Sequence, residues 1–309
     1  MLQYRQLRYF VAVVEAGSIS RAAATVHVAQ PALSQQIADL EGRVGVSLLL
    51  RTPRGVKPTP AGEAFFREAS SILQRMSRLP NLLRETAGHV QGTVRLGLVA
   101  SLAPVLVGLI VEHFRSELPE VNLVCSDGDS ESLSARVQAH SIELALAFED
   151  ELITAHVRKP IFMQRLFLFG NDVAKISKPS VSLEEAAKLP LVLPGKQSNR
   201  RQIIDRAFAE NKLTPNIIAE ADSLASELSA VRAGVGNTIL NIGEWPAGEF
   251  EAFAQPLPLE TAASMTCSVI SSSDSSLTAA AEAVQTSLIE VVRGFVKRTK
   301  RRGARLMEA

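Results

Sequence analysis

Two cysteines, one tryptophan, two tyrosines and five histidines are all that 309 residues contain of these types. Each scarcity removes a class of function. Two cysteines cannot staple a small secreted scaffold, and Cys125 and Cys267 each fall in a strand-like segment, where a thiol serves as a small buried apolar side chain. The histidines (His27, His89, His113, His140, His156) are scattered, and no HExxH, GxSxG or glycine-rich phosphate-loop spacing occurs. Neither catalysis nor a metal or other cofactor is therefore expected. No run approaches the roughly 20 apolar residues of a membrane span. The first segment carries Gln6, Arg8 and Glu15 and lacks the apolar core and cleavage site of an export signal, so a cytoplasmic protein without membrane contact is expected. Length allows two or three domains, and a hydrophobic content of 46% is that of a soluble globular chain.

What is present is concentrated near the start. Gly17 to Glu41 reads as two short helices joined by a sharp turn. The second has an apolar stripe, Leu33, Ile37, Leu40 and Val44, which a helix burying one face requires. Pro31, Gln35 and Ala38 then point outward, with Ser34 and Asp39 on the flanks and Gln30 at the helix start. That face is short, polar and nearly uncharged. Gln bonds bidentately to the N6 and N7 of adenine, Ser serves as donor or acceptor, and Ala meets a thymine methyl, so the face suits the major groove. The preceding helix, Ser20 to Val26, is small enough at Ala22 and Ala23 to cross closely beneath it. The bland alternative is an ordinary helical hairpin in a core. Leu48 to Thr59 tips the balance: two short strands flank a Pro and Gly turn, with Arg51, Arg54 and Lys57 on or beside it. Residues 1–60 hold seven Lys or Arg against three acids, a local excess of four, whereas the whole chain is only +1. Positive charge thus collects beside the candidate groove-reading helix, where phosphate contacts would supply sequence-independent affinity.

From Leu7 to Gly62 the wording is specific: Leu7-Arg8-Tyr9-Phe10, Gly17-Ser18, Ala22-Ala23, Gln30-Pro31-Ala32-Leu33-Ser34, Leu40-Glu41, Leu49-Leu50-Arg51-Thr52, Gly55-Val56 and Thr59-Pro60-Ala61-Gly62. This stretch resembles the LysR-type transcriptional regulators, and its phrasing is closest to their nitrogen assimilation control-like branch. The order and length of later segments agree with that family. The resemblance implies a winged helix-turn-helix over residues 1–59, with the helix-turn-helix at about 19–38. It further implies a linker and dimerisation helix over 60–89 and a two-subdomain α/β effector domain over 92–296, similar to periplasmic binding proteins. Gln30, Pro31, Ser34 and Gln35 on the reading helix, with Arg51 and Arg54 on the wing, match the family's DNA-contact positions. Many relatives carry Arg where this chain has Gln35, so a shift toward adenine is expected there.

The linker has its own signature. Thr59 is placed to cap a long helix, Pro60 fits its first turn, and Glu63 complements its dipole. Phe65, Ala69, Ile72, Met76, Leu79 and Leu83 repeat with coiled-coil spacing. Packing on the chain's own domains would explain that stripe as well, but the resemblance implies a dimer, commonly a tetramer of dimers, on a promoter dyad of double-stranded DNA. Pro80 interrupts the pattern and predicts a kink or an early end near Arg78 to Pro80.

From Gly92 onward strand and helix patterns alternate as in open α/β sheets. One subdomain is expected over about 92–161 and 266–296, the other over about 162–265. Ligands in such sheets settle at the carboxyl ends of strands beside helix amino termini. Those ends fall at Ala100 and Ser101, Asp127 to Ser130, Phe148 and Glu149, Pro194 to Asn199, and Asn241. A small organic effector suits this lining, and the resemblance implies a carboxylate-like one. The candidate contacts are Ser101, Ser130, Phe148, Pro194, Ser198, Asn199 and Arg200. Each serine would equally serve as a plain helix cap, and Arg200 and Arg201 could pair with an anion or lie on a solvated face. The basic run at 297–309 predicts a solvated, partly disordered tail that adds non-specific DNA affinity. A periplasmic-type solute-binding protein without catalytic activity is the alternative, and it leaves the first ninety residues unexplained.

Overall fold

The computed structural model describes residues 2–52, 55–85, 90–149, 156–242, 254–274 and 276–308. They form two compact units that divide near residue 90.

The first unit comprises α1 (Tyr4–Ala16), α2 (Ile19–Thr25), α3 (Gln30–Val44), the paired strands β1 (Leu49–Thr52) and β2 (Gly55–Pro58), and α4 (Pro60–Glu85). Leu33, Ile37 and Leu40 are fully buried in one core with Phe10, Val13, Ala22 and Leu48, each such side chain contributing about 1.5–3 kcal/mol. Phe65 at the start of α4 meets Phe10 edge to face at 5.1 Å. The Thr59 hydroxyl accepts the amide of Gly62 at 2.9 Å and donates to the carbonyl of Ser47 at 2.8 Å, fixing where α4 begins. Gly62 is required there, because a Cβ would lie 1.9 Å from the Leu48 carbonyl oxygen. The helix runs through Pro80 to Glu85, so the early end expected at residues 78–80 is not found. Proline's cost of about 3 kcal/mol falls on a single turn, while the twenty residues before it already propagate the helix.

The second unit holds two six-stranded sheets. Its elements are β3 (Gly92–Val99), α5 (Ala103–Glu117), β4 (Val121–Gly128), α6 (Ser130–Gln138), β5 (Leu144–Glu149), β6 (His156–Arg165), β7 (Phe167–Gly170), β8 (Val181–Ser182), α7 (Leu183–Lys188), β9 (Leu191–Leu193), α8 (Asn199–Glu210), β10 (Ile217–Glu220), α9 (Leu224–Arg232), β11 (Asn237–Leu240), β12 (Leu257–Glu260), β13 (Ser264–Ser272), α10 (Ala279–Thr299) and β14 (Ala304–Leu306). One sheet runs β14-β6-β13-β5-β3-β4 and the other β10-β9-β11-β7-β12-β8. The chain crosses between them twice, from β6 to β7 at Leu166 and from β12 to β13 at residues 261–263. The stretch Phe162 to Phe169 reads as one strand in the sequence, yet it is split between the sheets. Apolar residues dominate both halves, and Phe167, Leu168 and Phe169 are as buried as Phe162, so the interruption by Gln164 and Arg165 just before the crossing does not read as a break.

The carboxyl-terminal run departs from the expected loose tail. Helix α10 extends to Thr299, and β14 then pairs antiparallel with β6. Arg301 is buried and donates from Nε to the Gln164 side-chain oxygen at 3.1 Å, while the Gln164 amide donates to the Arg302 carbonyl at 2.9 Å. Arg302 donates to the Pro256 carbonyl at 2.8 Å and lies over the Phe167 ring. Gly303, at φ +74°, passes so close to that ring that a Cβ would lie 2.5 Å from it. Composition reported the charges of this run but not the buried amide waiting for them.

Candidate functional site

In the first unit the turn between α2 and α3 is made by His27 in the left-handed region (φ 57°), and Pro31 sits in the first turn of α3, where its missing N–H costs nothing. With the stripe buried, Gln30, Pro31, Gln35 and Ala38 are exposed and Ser34 is half-buried. Gln35 donates from Nε2 to Asp39 Oδ1 at 2.8 Å. That contact orients the amide and leaves its oxygen and second N–H available for a base edge. Arg51 is exposed on β1, and Arg54 lies outside the described residues. Glu41 was not foreseen in any role. Its carboxylate accepts the amides of Leu48 at 2.7 Å and Leu49 at 3.0 Å, tying the base of the wing to the far end of the reading helix.

In the second unit a cleft of about 880 Å³ opens at the carboxyl ends of the strands of both sheets. Ser101, Ser130, Phe148, Pro194, Ser198 and Arg200 line it, as does Asn241, with apolar wall from Val99, Leu224 and Met265. Asn199 does not line it; the residue is buried, and its amide donates to the Glu131 carboxylate. The Ser130 hydroxyl accepts the Phe148 amide at 3.1 Å, so that serine joins α6 to β5. The Ser101 hydroxyl oxygen is enclosed and has no hydrogen-bond partner among the described residues. Arg200 forms an ion pair with Glu227 and donates to the Ile239 carbonyl at 3.3 Å. Burial pushes the Glu227 carboxyl up, with Arg200 and a 2.8 Å bond from Thr238 opposing the shift. Arg201 is buried, reaching Asp205 and Glu220 at 2.8 Å each and the Pro194 carbonyl at 2.8 Å. Asp127, Asp129, Glu131, Glu220, Asp222 and Glu227 also line the cleft, facing Lys196 and Arg200. Sequence reasoning weighed the serines and arginines as contacts; it named Asp127 and Asp129 only as part of a strand end and so missed the acidic character of the lining. Both cysteines lie in strands as expected, Cys267 buried in β13 and Cys125 half-buried in β4, with its thiol pushed up by burial. Among the described residues no helix is long and apolar enough to cross a membrane, and no cluster of metal-ligating side chains occurs.

A wing beside an exposed groove-sized helix, carried with a separate two-sheet domain that encloses a ligand-sized cleft, defines a DNA-binding regulator of the ligand-responsive class. Residues 4–63 match the family described as bacterial regulatory helix-turn-helix protein, lysR family, and residues 87–293 match the LysR substrate binding domain. The chain belongs to the LysR family of transcriptional regulators, and is not an enzyme. It is 32% identical to the nitrogen assimilation regulatory protein nac of Klebsiella aerogenes over 77% of this chain and 78% of that one. The nac protein of Escherichia coli K12 is 31% identical over the same shares. In fold it is similar to full-length CbnR complexed with its target DNA (TM-score 0.63, 22% identity, 94% of this chain and 99% of that one). Full-length BenM is also similar (TM-score 0.54, 23% identity, 98% and 99%).

Proposed function

We propose that this regulator binds an interrupted inverted repeat in promoter DNA as a dimer, or as a tetramer built from dimers, in the cytoplasm. Binding of a small organic effector in the cleft would rearrange the DNA-reading pairs. The observation that carries the DNA reading is α3 itself: Leu33, Ile37 and Leu40 are buried, which leaves Gln30, Pro31 and Gln35 exposed with Ser34 beside them. Exposed Arg51 would supply phosphate contacts that set affinity without reading sequence, as would Arg54, three positions on in the sequence and outside the described residues. The nac relatives support regulation of transcription. The carboxylate-like effector expected from the family resemblance has less support, because Arg200, which lines the cleft, is engaged with Glu227 and its neighbour Arg201 with Asp205 and Glu220.

Selection of bound sequences from a random DNA pool by the full-length protein tests this directly. A dyad with two related half-sites should be enriched. Gln35→Ala should change base preference at particular positions, at a cost of about 1–3 kcal/mol there, whereas Arg51→Ala should weaken all sequences alike and lower the salt slope by about one. Absence of enrichment at low and moderate salt, or a Gln35→Ala effect that is uniform across sequences, would sink the assignment.

A further inference from the structure

Arg200, the guanidinium of the cleft lining, is already bonded to the chain itself. Arg200 is spent on Glu227 and Ile239, and its buried neighbour Arg201, which is not part of the lining, on Asp205, Glu220 and Pro194. Lys196 lines the cleft as well, and a further anion position is the start of α8, a twelve-residue helix whose N-cap Ser198 and second residue Arg200 line the cleft with Asn199 buried between them. Glu131 fills it. From α6 it reaches across to α8 and accepts the amide of Asn199, laying a carboxylate where an anionic ligand would find the positive end of the helix. Glu131 belongs to the β3-β4-β5 side of the cleft and Asn199 to the β9 side, so this contact joins the two walls.

We infer that Glu131 is a specificity-determining residue of the cleft: its carboxylate occupies the anion position, excludes small carboxylates, and restricts the effector to neutral or cationic molecules. The inference rests on the cleft being an effector site, as proposed above. Charge works in the same direction. Asp127, Asp129 and Asp222 bring three further carboxylates to the lining against Lys196 as the added cation, so an arriving anion meets an excess of like charge. The enclosed Ser101 hydroxyl, which has no partner among the described residues, remains as a polar contact that an uncharged or ammonium-bearing ligand can use.

The test is calorimetry on the full-length protein with benzoate, butyrate and glutarate, comparing the wild type with Glu131→Ala and Glu131→Gln. The wild type should give no saturable heat at millimolar concentrations. Glu131→Ala, which vacates the helix amide, should bind at least one of the three acids at least about tenfold more tightly, as loss of a competing charge-assisted contact predicts. Glu131→Gln can keep the amide contact while losing the charge, so its gain should be smaller, and its near-identical shape guards against a variant that fails to fold. Binding by the wild type as tight as by Glu131→Ala, or no binding by either variant, would overturn the inference. Footprinting on the selected dyad separates the two claims. If Glu131→Ala binds an acid and the footprint does not change, the effector reading fails and the role of Glu131 stands; if the wild-type footprint responds to the acids, the reverse holds.

Discussion

His156 opens β6 with its Nε2 atom 3.2 Å from the Ser134 carbonyl and 3.4 Å from the Ser134 hydroxyl. Burial pushes its pKa below the ordinary value; the Ser134 carbonyl opposes that shift and Arg158 adds to it. With a folded value below the unfolded value of about 6.5, the unfolded chain takes the proton first as pH falls. The stability this site contributes is therefore complete above about pH 6.5 and is lost as pH falls toward and through the folded value. Urea unfolding of the full-length protein should show a lower midpoint at pH 5.5 than at pH 7.5, with His156→Phe removing part of the difference. A second prediction at this scale concerns Gly62. Its missing Cβ admits the Leu48 carbonyl, so Gly62→Ala must push the wing away from α4, at a cost of about 1–3 kcal/mol for the displaced packing. Thermal unfolding followed in the amino-terminal unit should show the loss, while the second unit is unchanged.

Helix α4 divides its apolar stripe between two uses. Ala69 is buried and Phe65 packs on Phe10 inside the first unit, whereas Ile72 and Met76 are each 44% exposed. In the proposed dimer the exposed pair would be the part of the seam that meets a second copy. Changing Ile72 and Met76 together to Lys should shift sedimentation of the full-length protein toward monomer without lowering its melting temperature, since neither side chain is buried in the single chain. Elements with a period were legible in the sequence: the stripe of α3, the seam of α4, the alternation of β3 to β5, and α10. Short or contact-defined elements were not. β10 and β12 have four residues each and expose or half-expose most of them, so no pattern separates them from loop. The cleft was legible as a location, because strand ends and helix starts are marked by short polar residues. Its chemistry was not, because whether Arg200 faces a ligand or Glu227 depends on a partner 27 positions away.

Across the whole second unit, the terminal segment fastens the place where the chain changes sheets. Arg301 holds Gln164 just before the first crossing, Arg302 holds Phe167 just after it, and its bond to Pro256 reaches the approach to the second. Deleting residues 300–309 would leave the Gln164 amide buried without these partners. A cost of about 2–4 kcal/mol follows from the lost bonds and the orphaned group, or a fall of about 5–10 °C in melting temperature for a unit of this size. Little change in the salt dependence of DNA binding should accompany it, because Arg301 and Arg302 are committed within the fold. The same strand has a consequence for solubility. β14 covers the outer rim of β6 with only three residues, and the adjoining rim carries Lys159 and Pro160, both exposed. A stub edge beside a charge and a proline is a poor template for chain-to-chain strand addition. With β14 displaced, Phe162, Met163 and Gln164 would present a bare backbone ladder, so an affinity tag fused closely behind Leu306 should favour aggregates that a tag at the other end avoids.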